Sequence, residues 1–275
     1  MRCLVLTMGC NQDFFIREEK KVRETWAKDI LDKKYLDLDY FTYTASSDEN
    51  SYIDYETHTI YISCKDDLYG TFEKTSKCFK LLNDEGILKN YDFIFRTNMS
   101  TYINVSLLNI FLHSDLIDNN LIYGGDIYCA KTACGPFNYS YYAIGNSIMI
   151  PIKYLILLNE KHLHEYFEKY YNVMNGIKDS VLNIDDNAIG FIINSFLEFE
   201  KGIYHKLIYR VIGNNRESIE KVNEYISTPL RIYGGDREQE FKLYDIINDK
   251  YNGSTDLKNI KNHIINTNNL YKMFI

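Results

Sequence analysis

The sequence predicts an α/β protein: a mainly parallel sheet flanked by helices, in a single domain with a C-terminal extension. Three observations carry that expectation. Short apolar runs alternate with amphipathic segments through the first hundred residues, in the order βαββαβ. Hydrophobic residues fill 45% of the 275 positions, enough for a sizeable core and too many for wholesale disorder. No repeat and no Pro-, Gly- or Ser-rich linker divides the chain.

The elements follow in order. "CLVLTM" (3–8) is a short buried strand. "FFIREEKKVRETWAKDILDKKYL" has helical spacing, with Ile16, Val22, Trp26 and Ile30 on one face and charges opposite. "LDYFTYTA" (38–45) and "HTIYIS" (58–63) read as strands. "TFEKTSKCFKLLNDEG" (71–86) is a helix with Phe72, Thr75, Phe79 and Leu82 inward, closed by Gly86. "YDFIFRT" is the next strand. Beyond it, "NVSLLNIFLHSDL" (104–116) reads as a helix, and "LIYGGDIY" (121–128) as a strand with a Gly-Gly break. "YYAIGNSIMIP" (141–151) is a strand with a glycine at its mouth. "IKYLILLNEKHLHEYFEKYYNVM" reads as helical in two pieces, and "DDNAIGFIINSFLEFE" (185–200) as a helix with two acids in its first turn. "GIYHKLIYRVIG" is strand-like, and the Asn-rich tail from Asn248 reads as an appended helical segment. The simplest division is a domain over 1–215 and an extension over 216–275 packed on it.

Composition removes several function classes. The formal net charge is −7 and no long basic run occurs, which argues against a nucleic-acid binder. The cysteines Cys3, Cys10, Cys64, Cys78, Cys129 and Cys134 are scattered, and none pair as C-x-x-C, so they read as free thiols in a reducing compartment. "MRCLVLTMGCNQD" is too short for a signal anchor and no segment approaches a membrane span, so a soluble, cytoplasmic protein is expected. Neither G-x-x-x-x-G-K-[ST] nor G-x-G-x-x-G follows the first strand, which sets aside P-loop and dinucleotide enzymes.

The candidate chemistry lies at two places. In "YDFIFRTNMSTYIN" (91–104) an apolar strand gives way to Arg96, Thr97, Asn98, Ser100 and Thr101. Ligands bind outside such strand ends in α/β sheets, yet this one carries no carboxylate, His or Cys after Asp92. The second place is the pair Asp185 and Asp186, which opens an apolar helix. Both fit as ordinary N-terminal acids stabilised by the helix dipole, or one caps while the other points into a cleft. Neighbours in sequence diverge on a helix, which disfavours the paired carboxylates of a glycoside hydrolase.

Five segments together resemble the β-1,3-glycosyltransferases of the galactosyltransferase/Fringe group, which have the GT-A fold, a Rossmann-type sheet. "VRETW" (22–26) resembles I-R-x-T-W. "DDLYGTFEKT" (66–75) resembles D-x-Y-x-N-L-T-x-K-T, with Gly70 and Phe72 where the family has Asn and Thr. "YDFIFRTNMSTYIN" resembles Y-x-F-x-x-K-x-D-D-D-x-F-V-N, "YAIGNSIMI" (142–150) resembles Y-x-S-G-x-G-Y-V-L, and "DDNAIG" (185–190) resembles E-D-V-x-x-G. The matches keep the family's order and span roughly residues 1–200; residues beyond about 215 are not covered.

The resemblance implies transfer of a sugar from a nucleotide donor, usually UDP-linked, to a glycan hydroxyl with inversion. A base must take the acceptor proton, and something positive must hold the departing diphosphate. Asp186 matches the family's base position, with Asp185 as the fallback. The donor side would draw on Thr7, Met8, Gly9, Arg23, Lys74, Arg96, Asn98, Ser100 and His205. The acceptor side would draw on Tyr142, Gly145 and Asp126.

Several of these residues also have a plainer reading. Thr7, Met8 and Gly9 fit a tight turn, Arg23 a solvated helix position, Lys74 an ordinary amphipathic helix, Gly145 a β-bulge and His205 a structural histidine.

The departure lies in the acidic triplet, which in the family holds a divalent cation and here reads Asn98, Met99, Ser100. Neutral side chains make poor sites for hard cations. Three explanations stand. Arg96, Lys131, His205, Lys206, Arg210 or Arg231 neutralises the diphosphate without a metal. Alternatively, Mn²⁺ or Mg²⁺ binds through other carboxylates such as Asp126. Alternatively, the site is inactive and the fold binds carbohydrate or nucleotide sugar only. The first is preferred, because Arg96, Asn98 and Ser100 keep the strand end polar.

Overall fold

A computed structural model describes residues 1–68, 70–113, 121–131, 139–153, 155, 185–186, 188–190, 203–206, 210–213, 229–233, 244–245 and 247–248. The strands are β1 (Cys3–Met8), β2 (Leu38–Ser46), β3 (Tyr52–Asp54), β4 (Thr59–Ser63), β5 (Phe93–Asn98), β6 (Thr101–Ile103), β7 (Leu121–Lys131), β8 (Tyr139–Pro151), β9 (Ile203–Lys206), β10 (Arg210–Gly213) and β11 (Pro229–Tyr233). The helices are α1 (Asp13–Glu24), α2 (Trp26–Leu31), α3 (Thr71–Asp84) and α4 (Val105–Leu112).

An eight-stranded sheet has the order β3-β4-β2-β1-β5-β8-β7-β9, and β10-β11-β6 form a smaller one. The centre of the large sheet is parallel, through β4-β2-β1-β5. β3 and β8 join it antiparallel. The result is an α/β fold with a parallel heart and a mixed periphery.

β1 reads as a continuous apolar run because both of its faces are covered. Cys3 and Val5 face Val22, Trp26, Ala27 and Ile30 of α1 and α2, with Leu108 and Leu112 of α4 on the same side. Leu4 and Leu6 face Phe72, Cys78, Phe79 and Leu82 of α3. Burial pushes the Cys3 and Cys78 thiols up from their ordinary value, so both sit as inert apolar groups. The inward positions expected for α3 are all buried. Gly86 follows with φ 69°, the left-handed conformation that a glycine adopts without strain.

Two details depart from the sequence pattern. The first helical segment breaks at Thr25, which leaves helical geometry (φ −112°, ψ −111°) while its hydroxyl donates to Lys21 O at 2.6 Å. Ile16 is 52% exposed, and the fully buried side chain of that stretch of α1 is Glu18. Glu18, Val22 and Trp26 recur every four residues and so share a face, while Ile16 falls off it.

A row of threonines crosses the parallel strands. Thr59, Thr42, Thr7 and Thr97 are register partners on β4, β2, β1 and β5, and all are buried. Arg23 of α1 reaches this row. Its Nη2 donates to Thr42 Oγ1 and Thr59 Oγ1, each at 3.1 Å, and Nη1 donates to Thr57 O at 2.8 Å. Nε donates to Glu19 at 2.8 Å, and the guanidinium lies 5.6 Å from the Tyr40 ring centroid.

The described C-terminal segments pack near the β5–β6 turn. β11 pairs antiparallel with β6. Tyr244 and Ile247 join the core cluster of Met99, Trp26 and Tyr102. Tyr244 Oη donates to the carbonyl of Met99, and Tyr102 Oη donates to Asn248 Oδ1 at 2.9 Å. Among the described residues, no helix is long and apolar enough to cross a membrane. The expected tail helix beyond Asn248 and most of the two-piece helix after Ile152 lie outside the described residues.

Candidate active site

The chain passes from β1 to β2 through α1 and α2 on one face of the sheet. It passes from β4 to β5 through α3 on the other face. The carboxyl ends of β1 and β5, which are paired, are therefore where the connections diverge and leave a crevice. Met8 and Asn98 are register partners at that edge.

Arg96 stands two residues inside the edge and is fully buried on the α3 side. Its Nε donates to Tyr43 Oη at 3.0 Å. Tyr43 Oη shares a hydrogen bond with Thr75 Oγ1 at 2.9 Å, and Thr75 Oγ1 donates to Asp185 Oδ2 at 3.3 Å. Asp185 Oδ2 in turn pairs with Arg96 Nη2. The four side chains thus close a ring drawn from β2, α3, β5 and the 185–190 segment. Thr71, one turn before Thr75, accepts the Asp185 backbone N–H at 3.3 Å. Met8 Sδ lies 3.1 Å from Arg96 Nη2.

Electrostatics inside this ring are strong. Burial pushes the Asp185 carboxyl above its ordinary value, and the Arg96 guanidinium beside it pulls the other way. Burial also works against the Arg96 charge, but Asp185, Tyr43 and Asp186 together outweigh it and push the guanidinium above its ordinary value.

Gly145 of β8 is gripped from both sides. Its carbonyl accepts from Arg96 Nη1, and its N–H donates to Asp186 Oδ2 at 3.1 Å. A Cβ at this position would lie 2.6 Å from Arg96 Nη1, 3.3 Å from Asn98 Nδ2 and 3.6 Å from Asp186 Oδ2. Only glycine allows that approach. Asp185 is buried in the ring, whereas Asp186 is partly exposed. Neighbouring acids on one helical turn thus serve different surroundings.

A second cluster fixes the loop after β1. Lys74 is 2% exposed, and its ammonium donates to Gly9 O at 3.0 Å and pairs with Asp66. Asp66 Oδ2 accepts the Asn11 backbone N–H at 2.6 Å, and Asn11 Nδ2 donates to Ala45 O at 2.6 Å. Burial pushes the Asp66 carboxyl up, but the Asn11 N–H and the Lys74 ammonium outweigh it and hold the carboxyl below its ordinary value.

The remaining expected residues sit as follows. Thr7 is buried in the threonine row, with its hydroxyl beside that of Tyr40. Gly9 backs onto Thr42, Thr44 and Met99. Arg23 is engaged by Glu19, Thr42, Thr57, His58 and Thr59. Asn98 Oδ1 is buried without a partner among the described residues. Ser100 is partly exposed in the turn after β5. Asp126 lies on β7 at the irregularity between Gly125 and Ile127, Tyr142 on β8, and His205 on β9 opposite Gly124. The side chains of these three, and of Lys131, Lys206, Arg210 and Arg231, lie outside the described residues. Tyr43, Thr71 and Asn11 belong to the two clusters without having stood out in the sequence. Tyr43 lies inside an apolar run, and only its hydroxyl hints at a polar neighbour.

The strand-end triplet does not fit a hard divalent cation. Met99 is 2% exposed and its side chain belongs to the core. Asn98 and Ser100 bring no carboxylate. Among the described residues, no three His, Cys, Asp or Glu side chains gather as a metal site.

No family model matches the chain, and no curated protein matches it in sequence. Among solved structures, a crystal structure of a glycosyltransferase involved in the glycosylation of the major capsid of PBCV-1 aligns with it at a TM-score of 0.49 and 10% identity, covering 90% of this chain and 100% of that one.

Proposed function

We propose that the protein is a glycosyltransferase that moves a sugar from a nucleotide sugar, UDP-linked, to a glycan hydroxyl with inversion. One observation carries this reading. Residues from four of the sequence blocks that resemble a glycosyltransferase family, separated along the chain, meet at the sheet edge: Thr75, Arg96, Gly145 and the Asp185–Asp186 pair. A chance set of short matches has no reason to converge in space.

In this reading the donor lies across the carboxyl ends of β1 and β5, over the Gly9 loop that Lys74 and Asp66 hold. Asp186 faces the acceptor. Its carboxylate takes the proton as the acceptor oxygen bonds to the anomeric carbon, and the bond to the diphosphate breaks with its electron pair leaving on the nucleotide. The neutral triplet supplies no cation there. The counter-charge falls to basic side chains such as Lys131, His205, Lys206, Arg210 or Arg231.

A panel of nucleotide sugars, assayed for UDP release with EDTA or with added Mn²⁺, tests this. Release that persists in EDTA is expected. Asp186→Asn should abolish transfer while leaving UDP affinity near that of the unaltered chain. UDP binding without release from any donor would favour a binding protein built on the same fold.

A further inference from the structure

Arg96 is the cation at the strand end, and a cation there invites the role of diphosphate ligand. We infer instead that Arg96 is a positioning residue, whose guanidinium holds Asp185 and Gly145 so that Asp186 is aimed at the acceptor. The assignment rests on the glycosyltransferase reading of the site.

The geometry leaves Arg96 little to offer a ligand. All three guanidinium nitrogens are engaged within the protein: Nε by Tyr43, Nη1 by Gly145, and Nη2 by Asp185 and Met8. The side chain is fully buried, and its charge is matched by a carboxylate that is itself buried. To meet a diphosphate, Arg96 would have to abandon Asp185 and leave a buried carboxylate without its counter-charge.

The same contacts reach Asp186 by two routes. One runs through the backbone from Asp185, whose position Arg96, Thr75 and Thr71 fix. The other runs through Gly145, whose carbonyl Arg96 holds and whose N–H holds Asp186. Planar, multidentate guanidinium fits this task, and an ammonium does not, since it cannot span Tyr43, Gly145 and Asp185 in fixed directions.

Four variants decide the matter: Arg96→Gln, Arg96→Lys, Asp185→Asn and the double variant Arg96→Gln/Asp185→Asn. Each is measured for turnover, donor KM, UDP affinity and thermal midpoint. Arg96→Gln should lower kcat by about 100-fold, as a misaimed base does, with donor KM and UDP affinity within about threefold. Arg96→Lys should recover only a minor part of kcat. The double variant should melt higher than Arg96→Gln, because removing both charges relieves the stranded carboxylate. A tenfold rise in donor KM or loss of UDP affinity in Arg96→Gln, with kcat kept, would overturn the assignment. So would a double variant whose midpoint falls by the sum of the single losses. In both cases the glycosyltransferase reading stands. Failure of the unaltered chain to release UDP from any donor removes that reading, and this assignment with it.

Discussion

The N–H of Gly145 lies 3.1 Å from Asp186 Oδ2, while the carbonyl of the same residue accepts from Arg96. One backbone unit therefore stands between a buried cation and the candidate base. A methyl group at Gly145 would sit 2.6 Å from Arg96 Nη1. Gly145→Ala is expected to cost about 2 kcal/mol of stability through overpacking. Its effect on transfer should be larger, a loss of about 100-fold, because the displaced group is the one that orients Asp186. Urea unfolding beside steady-state kinetics separates the two; a fall in activity no greater than the fall in folded fraction would contradict the coupling.

Lys74 combines a buried ammonium with a partly exposed partner, Asp66. Lys74→Met keeps most of the aliphatic stem and removes the charge. The carbonyl of Gly9 then loses its donor and Asp66 its counter-ion. A loss of about 3 kcal/mol is expected, the lower end for breaking a buried pair. In the proposed function, UDP affinity should fall as well, since the Gly9 loop is what Lys74 fixes. Calorimetry with UDP reads that directly.

Arg23 makes a structural test of another kind. Its guanidinium joins α1 to the threonine row and to the loop at Thr57 and His58. Arg23→Lys keeps the charge and loses the fork, at an expected cost of about 2 kcal/mol. Donor KM should stay within about twofold. A large rise in KM with little change in melting would instead place Arg23 at the donor.

Acid should weaken the fold through Asp66 and Asp39. Burial raises both carboxyls, but it is outweighed at Asp66 by Asn11 and Lys74 and at Asp39 by Lys33 and Tyr91, so both lie below their ordinary value of 3.8. Groups depressed in the folded state stabilise it fully above their unfolded pKa. That contribution is lost as pH falls through the folded value. Urea midpoints should therefore hold steady down to about pH 5 and drop below about pH 4. Asp66→Asn should begin lower and decline less steeply over the same window. A parallel decline in the variant would remove Asp66 from the effect.

Much of the central sheet can be read from the chain because its signals are local. β1, β2, β4, β5 and α3 announce themselves by unbroken apolar runs or clean helical spacing, and both depend on near neighbours. β3 and β6 are three residues each and carry too little pattern. Glu18 shows a different limit. A charged residue in an amphipathic helix reads as solvent-facing, and only the tertiary packing of Val22 and Trp26 fixes which side is inward. The site divides similarly. Asp186, Gly145 and Arg96 could be named from motifs and strand ends. The ring through Tyr43 and Thr75 could not, since each of its bonds joins distant segments and leaves no periodic trace. The burial of Met99 shows why the triplet is not three equivalent positions: the middle one belongs to the core.

Tyr244 adds a point about order of synthesis. It reaches back across 145 positions to hold the carbonyl of Met99, beside the turn that ends β5. A ribosome makes the central strands long before it makes this clasp. A nascent or prematurely ended chain that stops short of Tyr244 therefore carries the sheet without its fastened edge, and the turn after β5 is clasped only once Tyr244 has emerged.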